Sequence, residues 1–272
     1  MTLRALVITA PGINCDRELA EGFALAGAEP FSVHINALME HPSLVEEADL
    51  VGLPGGFSYG DAVAAGRIMA QLMRASLYPA LSAAVRRGVP MIAPCNGFQV
   101  AAQLGLLPGP QPGMDWPATA PKPTIALSQN ASARFIDRWV EMRVPQETRC
   151  IWTRGMTAEA GTSLLPIAHG EGRFVPGSDE LLRDLEESGR IACRYAPDDN
   201  PNGSIGDVMG ICDASGLVFG LMPHPERYLR WTQHPTWTRM EMPSYDPPGL
   251  QMFRNAVTHA EKSTSGRRAC SA

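Results

Sequence analysis

The sequence predicts an α/β fold: a mostly parallel wound sheet with helices on both faces and an antiparallel excursion. Three observations carry this. Short apolar runs alternate with helical-period segments through the N-terminal part, the runs end in Gly- or Pro-marked turns, and a Pro/Gly-rich stretch interrupts the middle. Strands that alternate with helices pair in parallel through right-handed crossovers. Ligands of such sheets gather at the carboxyl ends of the strands, so the turns there are the places to look for chemistry.

Leu3 to Thr9 reads as a strand, Pro11-Gly12-Ile13-Asn14 as a turn, and Asp16 as the cap of an amphipathic helix through Leu25. Phe31 to Ile35 reads as a second strand, Asp49 to Leu53 as a third ending in Pro54-Gly55-Gly56, and Val89 to Ala93 as a fourth. Ala64 to Arg74 and Pro79 to Arg87 carry helical spacing between them. Pro108 to Pro123 breaks the pattern, and Thr124 to Ser128 and Arg134 to Val144 read as antiparallel strands or hairpins. Ile191 to Tyr195, Val208 to Ile211 and Leu217 to Leu221 read as later strands, and Gly249 to Ala260 as a last helix. A domain over 1–260 is expected, with a small, polar, disordered tail over 261–272.

At 272 residues, with 44% hydrophobic and 19% charged side chains, the chain has the composition of a globular protein. A net charge of −5 without a dense Lys/Arg run gives no footprint for nucleic acid or anionic membrane. No apolar stretch reaches the roughly 18 residues of a membrane span, and Met1-Thr2-Leu3-Arg4 enters a strand without signal-peptide features, so a cytoplasmic location is expected. Cysteines at 15, 95, 150, 193, 212 and 270 contain no CxxC pair, which argues against a zinc ribbon and a disulfide framework. No metal is expected in this chain.

The segment Met91-Ile92-Ala93-Pro94-Cys95-Asn96-Gly97-Phe98-Gln99 places a cysteine where a buried strand gives way to a helix. A sharp turn there presents a nucleophile above the sheet, and small residues on either side, Ala93 and Gly97, let strand and helix approach. The first turn of a helix favours negative charge on a thiolate or an oxyanion. Alone, Cys95 fits a buried packing cysteine better. The balance shifts with Leu221-Met222-Pro223-His224-Pro225-Glu226, where alternate residues of an extended stretch set Glu226 to orient His224. Cys95, His224 and Glu226 make a workable triad. Leu53-Pro54-Gly55-Gly56-Phe57-Ser58-Tyr59-Gly60-Asp61, at another strand end, offers backbone N–H groups to a bound carbonyl; it fits neither GxGxxG nor GxxxxGK[ST]. Cys15, in the Asn14-Cys15-Asp16 turn, is placed to approach the same region.

In order along the chain, Pro11 to Glu18, Pro54 to Asp61, Cys95 to Gln99, Arg138-Trp139-Val140, His169 to Phe174, Asn200 to Ser204 and Leu221 to Arg227 resemble the class I glutamine amidotransferases. More narrowly, they are similar to the glutaminase subunits of phosphoribosylformylglycinamidine synthases. The resemblance implies Cys95 as nucleophile, completed by His224 and Glu226, with Gly56 and Asn96 as backbone donors of the oxyanion hole. It implies Gln99 as a glutamine-holding residue, and, on a looser match, Asn130 with Ser132 at the amino-acid end of the substrate. The turn from His169 to Phe174 is similar to a family loop on the synthetase side, where an interface or ammonia passage is expected.

The resemblance further implies hydrolysis of glutamine and delivery of ammonia to a synthetase subunit that converts formylglycinamide ribonucleotide to its amidine in purine synthesis. No cofactor is expected in this chain; ATP and magnesium belong to the synthetase, and a small third subunit remains open. Two departures stand out. The family commonly has Gly where Ala93 stands and an aliphatic residue where Pro94 stands, and the stretch from Trp231 to Pro248 is an added interface element or a loop. Amidotransferases of pyrimidine, guanine or aromatic synthesis are rivals, opposed by the His169-to-Phe174 and Pro201-to-Ser204 strings. Protease-like or deglycase enzymes of similar fold commonly carry His after the cysteine, where this chain has Asn96. A regulatory subunit without catalysis is the non-enzyme alternative; glutamate release separates it.

Overall fold

A computed structural model describes residues 2–156 and 163–269, with side chains through 263. The apolar run at the N-terminus forms β1 (Arg4–Thr9), and α1 (Asp16–Ala26) follows. Asp16 is the first helical residue, not the cap; Cys15 occupies the cap position without a side-chain capping bond. β2 (Glu29–His34), α2 (Ile35–Glu40) and β3 (Leu50–Gly52) come next.

The two expected helices between Ala64 and Arg87 are a single helix, α3 (Arg67–Arg86), which runs through Pro79. An internal proline removes one helical hydrogen bond and favours a break. Here Met69, Met73, Leu77, Tyr78, Leu81 and Val85 are all buried, so packing of one long face outweighs the local preference. β4 (Met91–Pro94) leads directly into α4 (Asn96–Leu104).

β5 (Ile125–Ser128), β6 (Ile136–Arg143), β7 (Leu164–His169) and β8 (Arg173–Pro176) form the middle, followed by α5 (Asp179–Glu187), β9 (Ile191–Tyr195), β10 (Val208–Cys212), β11 (Val218–Leu221) and α6 (Pro248–Ala269). The last helix thus continues past Ala260, and residues 270–272 of the expected tail lie outside the described residues. The main sheet has the order β2-β1-β3-β4-β11-β10-β9-β6-β7, and β5 pairs with β8 separately. From β2 to β11 every neighbouring pair is parallel; from β11 to β7 every pair is antiparallel. The antiparallel excursion therefore rejoins the main sheet through β6 and β9.

Phe23 of α1 packs edge-on against Phe253 of α6 at 5.2 Å between ring centroids, and Trp152 lies against both. The Trp152 indole N–H donates to the Leu217 carbonyl at 2.9 Å, so this large buried ring leaves no polar atom unpaired. The stretch after Trp231 is tied down by aromatic edges rather than left as a free loop. Trp231 contacts Tyr228 and Tyr245 edge-on, its N–H donates to the Tyr245 carbonyl, and Tyr228 meets Trp139 of β6 at 5.0 Å. No helix among the described residues is long and apolar enough to cross a membrane.

Candidate active site

β4 and β11 run in parallel register through Leu221↔Pro94, which sets the Cys95 turn and the His224 turn side by side at their carboxyl ends. Pro94 has no N–H to donate, and the ladder continues one residue later, where the Cys95 N–H donates to the Leu221 carbonyl at 2.7 Å. Cys95 holds φ 48° and ψ −108°, a conformation that costs a residue with a side chain about 1–3 kcal/mol. The strain is held by β4 on one side and by α4 on the other. The elbow survives with Ala93 and Pro94 in place of the usual residues.

Gly97 explains how helix and strand come so close. A Cβ at this position would lie 1.9 Å from the Leu53 carbonyl oxygen, so only glycine lets α4 start against the end of β3. Gly56 has φ +143°, and a Cβ there would meet the backbone of Ile13 and Asn14 at 2.8 Å. The Asn96 amide completes the join: its Oδ1 accepts from the Ser58 N–H, and its Nδ2 donates to Asp61 and to Gln99. Asn96 is also the first residue of α4, so its own N–H has no acceptor within the helix.

His224 and Glu226 do not share a side of an extended stretch, as the sequence suggests. Pro225–Arg227 forms a 3-10 turn with His224 at its cap, and the turn brings the carboxylate back onto the ring. His224 Nδ1 donates to Glu226 Oε1 at 2.6 Å, with both side chains buried. That bond fixes the proton on Nδ1 and leaves Nε2, which has no partner among the described residues, as the free ring atom. Burial alone would lower the His224 pKa. The Glu226 carboxylate, followed by the Cys95 and Cys15 sulfurs, outweighs burial and raises it well above its ordinary value.

Cys15 does reach this site. Its Sγ lies 3.9 Å from His224 Nδ1, accepts from Arg227 Nη2 at 3.1 Å and donates to Asn14 Oδ1 at 3.2 Å. A Cβ on Gly55 would touch both the His224 ring and this sulfur, so the glycine loop closes over them. Cys15, His224 and Glu226 offer three ligand atoms within 4.8 Å of one another. The arrangement is poor for a metal ion: Nδ1 is already committed to the carboxylate, and a guanidinium sits against the sulfur.

The turn between β7 and β8 walls the other side. The Pro166 carbonyl accepts from the His224 N–H, the Ala168 carbonyl lies 3.7 Å from Cys95 Sγ, and the Glu171 carbonyl accepts from Gln99 Nε2 at 2.5 Å. Gln99 keeps one N–H and one lone pair for another partner. Asn130 does not. Its Oδ1 faces His169 Nδ1 and accepts from the Gly172 N–H, and its Nδ2 donates to the Arg134 and His169 carbonyls, which exhausts its hydrogen-bonding capacity. In this structure the Asn130 side chain, expected at the amino-acid end of the substrate, builds the turn. The Ser132 hydroxyl accepts from the Arg134 N–H at 3.4 Å in an exposed loop.

The Asn202-Gly203-Ser204 string, unassigned from sequence, clamps the same turn. Asn202 Nδ2 donates to the Gly172 carbonyl and the Ser204 hydroxyl accepts from the Phe174 N–H. Two motifs far apart in the chain thus form one structural unit.

Cys95, Asn96, Gln99, His224 and Glu226 are each at most 5% exposed. One surface cavity, about 660 Å³, is lined by Arg67, Arg74 and Lys122 among others and includes none of them. A second, about 540 Å³, reaches Gly170 and Glu171 from outside. Cavity size does not select the reactive groups here; their mutual geometry does.

Asp61 sits beside the site under electrostatic load. Burial, then the Glu171 carboxylate, push its pKa up to about 6 against hydrogen bonds from the Gly66 backbone and Asn96. The folded chain binds this proton more tightly than the unfolded chain. Its contribution to stability is full below the unfolded value of 3.8 and is lost as pH rises through about 6. Asp61→Asn keeps the Oδ1 acceptor. After discounting for partial exposure, it is expected to add about 1 kcal/mol at pH ~7.5 and nothing at pH ~4 in urea unfolding. Equal effects at both pH values would remove buried charge as the cause.

An elbow cysteine on a wound sheet, with a carboxylate-held imidazole beside it, is the architecture of a triad amidotransferase. Residues 2–260 match the CobB/CobQ-like glutamine amidotransferase domain, and the chain belongs to that family. It is 37% identical over 267 residues to phosphoribosylformylglycinamidine synthase subunit PurQ of Dehalococcoides mccartyi, covering 96% of this chain and 98% of the relative. It is 41% identical over 244 residues to the subunit of the same name from Treponema denticola, covering 83% and 88%. Among solved structures, PurLQS from Thermotoga maritima aligns with a TM-score of 0.69 at 30% identity over 95% of this chain and 99% of that one. A putative GMP synthase component from Thermoplasma acidophilum aligns with a TM-score of 0.56 at 12% identity over 98% of both chains, a likeness of fold alone.

Proposed function

We propose that this chain is the glutaminase subunit of a phosphoribosylformylglycinamidine synthase, freeing ammonia from glutamine for a synthetase subunit in purine biosynthesis. One observation carries the chemistry: His224 gives Nδ1 to Glu226 and leaves Nε2 unpartnered beside the Cys95 elbow. Cys15 lies on the Nδ1 side, where the ring proton is already committed, so it is not the thiol that the imidazole serves.

The Cys95 thiolate attacks the side-chain carbonyl carbon of glutamine, and the N–H groups of Gly56 and Asn96 hold the oxyanion. As the C–N bond breaks, the His224 imidazolium gives its proton to the departing nitrogen, releasing NH3 and leaving a thioester on Cys95. Water then attacks the thioester carbon, its proton passes to His224, and glutamate leaves as the thiolate is restored. Gln99, with a donor and an acceptor to spare, contacts the substrate.

The synthetase subunit binds ATP and magnesium and activates formylglycinamide ribonucleotide. The test is to mix the purified chain with synthetase subunits of the purine, pyrimidine and guanine pathways and follow glutamate release. Stimulation by the formylglycinamide ribonucleotide synthetase is the expected result. Stimulation only by one of the others would reassign the partner.

A further inference from the structure

Arg67, Ala70, Gln71 and Arg74 are spaced i, i+3, i+4 and i+7 on α3 and so share one face of that helix. They form one wall of the cavity of about 660 Å³; Lys122, the start of β5 and the end of β8 form the other. Three cations border this space, and none of the residues that line it is an aspartate or a glutamate. The chain as a whole carries a net charge of −5, so the cavity runs against the general balance. Arg67 and Lys122 are exposed and have no ion-pair or side-chain hydrogen-bond partner among the described residues.

Arg74 is built into the wall. Its Nη1 donates to the Gln103 carbonyl at 3.1 Å, and its Nη2 donates to the Ala120 and Pro121 carbonyls at 2.6 and 2.9 Å. Carbonyl oxygens orient a guanidinium without neutralising it, so the positive charge stays at the cavity. The same bonds fix the backbone that leads into Lys122. Like charges gathered in this way repel one another, and a bound anion relieves the repulsion.

The remaining lining is of another kind: Ala70, Ile125, Val175 and Pro176 present carbon. Small-molecule sites of this size combine an apolar wall with a few placed polar groups. One guanidinium satisfies a single carboxylate. A phosphate monoester brings about two negative charges and three acceptor oxygens, the better match for three cations.

We propose that this cavity binds a small organic phosphomonoester, with the phosphate on Arg67, Arg74 and Lys122 and the organic part against the apolar wall. Cys95, His224 and Glu226 do not line it, so the site stands whether or not the chain is a glutaminase.

The test titrates adenosine monophosphate, inorganic phosphate and adenosine against the purified full chain by equilibrium dialysis. The monophosphate is expected to bind about tenfold more tightly than inorganic phosphate, the gain from the apolar wall, and adenosine more weakly than either. Arg67→Gln combined with Lys122→Gln changes two exposed positions, so thermal unfolding stays as in the wild type. This variant should bind the monophosphate about 30-fold more weakly. Arg183→Gln, which removes an exposed cation on α5, should bind it as the wild type does. No binding of the monophosphate at about 5 mM, a concentration at the weak end of ligand affinity, overturns the proposal. So does equal affinity of the double variant and the wild type, or adenosine binding as tightly as its monophosphate. Inorganic phosphate as tight as the monophosphate overturns it as well, because the apolar wall would then contribute nothing. If the wild type binds no monophosphate while the double variant loses its association with a synthetase subunit, the face is a protein interface and the proposal falls.

Discussion

Replacing Cys95 with alanine is expected to lower glutamine-dependent synthesis by on the order of 10⁴-fold and to leave synthesis from added ammonium salts within about twofold of wild type. The asymmetry follows from the division of labour. In the proposed mechanism the Cys95 thiol forms the thioester, while ammonia supplied from solution bypasses it. Cys15→Ala is the informative companion, because this second buried sulfur also lies near His224. Its neighbour on the ring is Nδ1, which already donates to Glu226 at 2.6 Å, and its own sulfur is held by Arg227. The imidazole cannot serve a thiol on that side without giving up its carboxylate. Cys15→Ala should therefore keep glutamine-dependent synthesis within about tenfold, a packing-scale effect. If Cys15→Ala were the dead variant and Cys95→Ala the active one, the nucleophile would have been misassigned. Loss of ammonia-dependent synthesis in Cys95→Ala would show that the substitution damages the complex instead of the chemistry.

The segments that carry the proposed triad are legible in the sequence because each is local. Met91 to Gln99 spells a buried strand, a turn and a helix start within nine letters, and Leu221 to Glu226 places the histidine and carboxylate two positions apart. The reason for their contact is another matter. A 3-10 turn, not strand alternation, brings Glu226 to His224, and the two geometries share one sequence spacing. The parallel half of the sheet was equally plain, since continuous apolar runs are what strands buried on both faces require.

What stayed hidden depends on partners distant in the chain. Nothing near Asn130 reveals that its amide is consumed by His169, Gly172 and Arg134, and nothing near Asn202 points to Gly172. A polar side chain that builds a turn and one that binds a substrate look alike until their hydrogen bonds can be traced. Pro79 misleads in the opposite sense: a residue that breaks isolated helices is carried through α3 by the burial of Leu77, Tyr78 and Leu81 around it.

Gly97→Ala is expected to cost about 3 kcal/mol of stability and about 100-fold in glutaminase turnover. The added carbon would stand 1.9 Å from the Leu53 carbonyl oxygen, a backbone atom that cannot rotate away. Relief requires α4 to move off β3, or the end of β3 to move off α4. Either motion separates the two proposed oxyanion donors, because Asn96 begins α4 and Gly56 follows Leu53 by three residues. Stability and turnover should therefore fall together, with the loss in kcat rather than in KM, since the oxyanion exists only after attack. Thermal unfolding and steady-state glutamate release in the synthetase complex measure the two effects. A variant that loses stability but keeps its kcat would mean that the approach of helix to strand serves packing alone, and that the oxyanion is held by other donors.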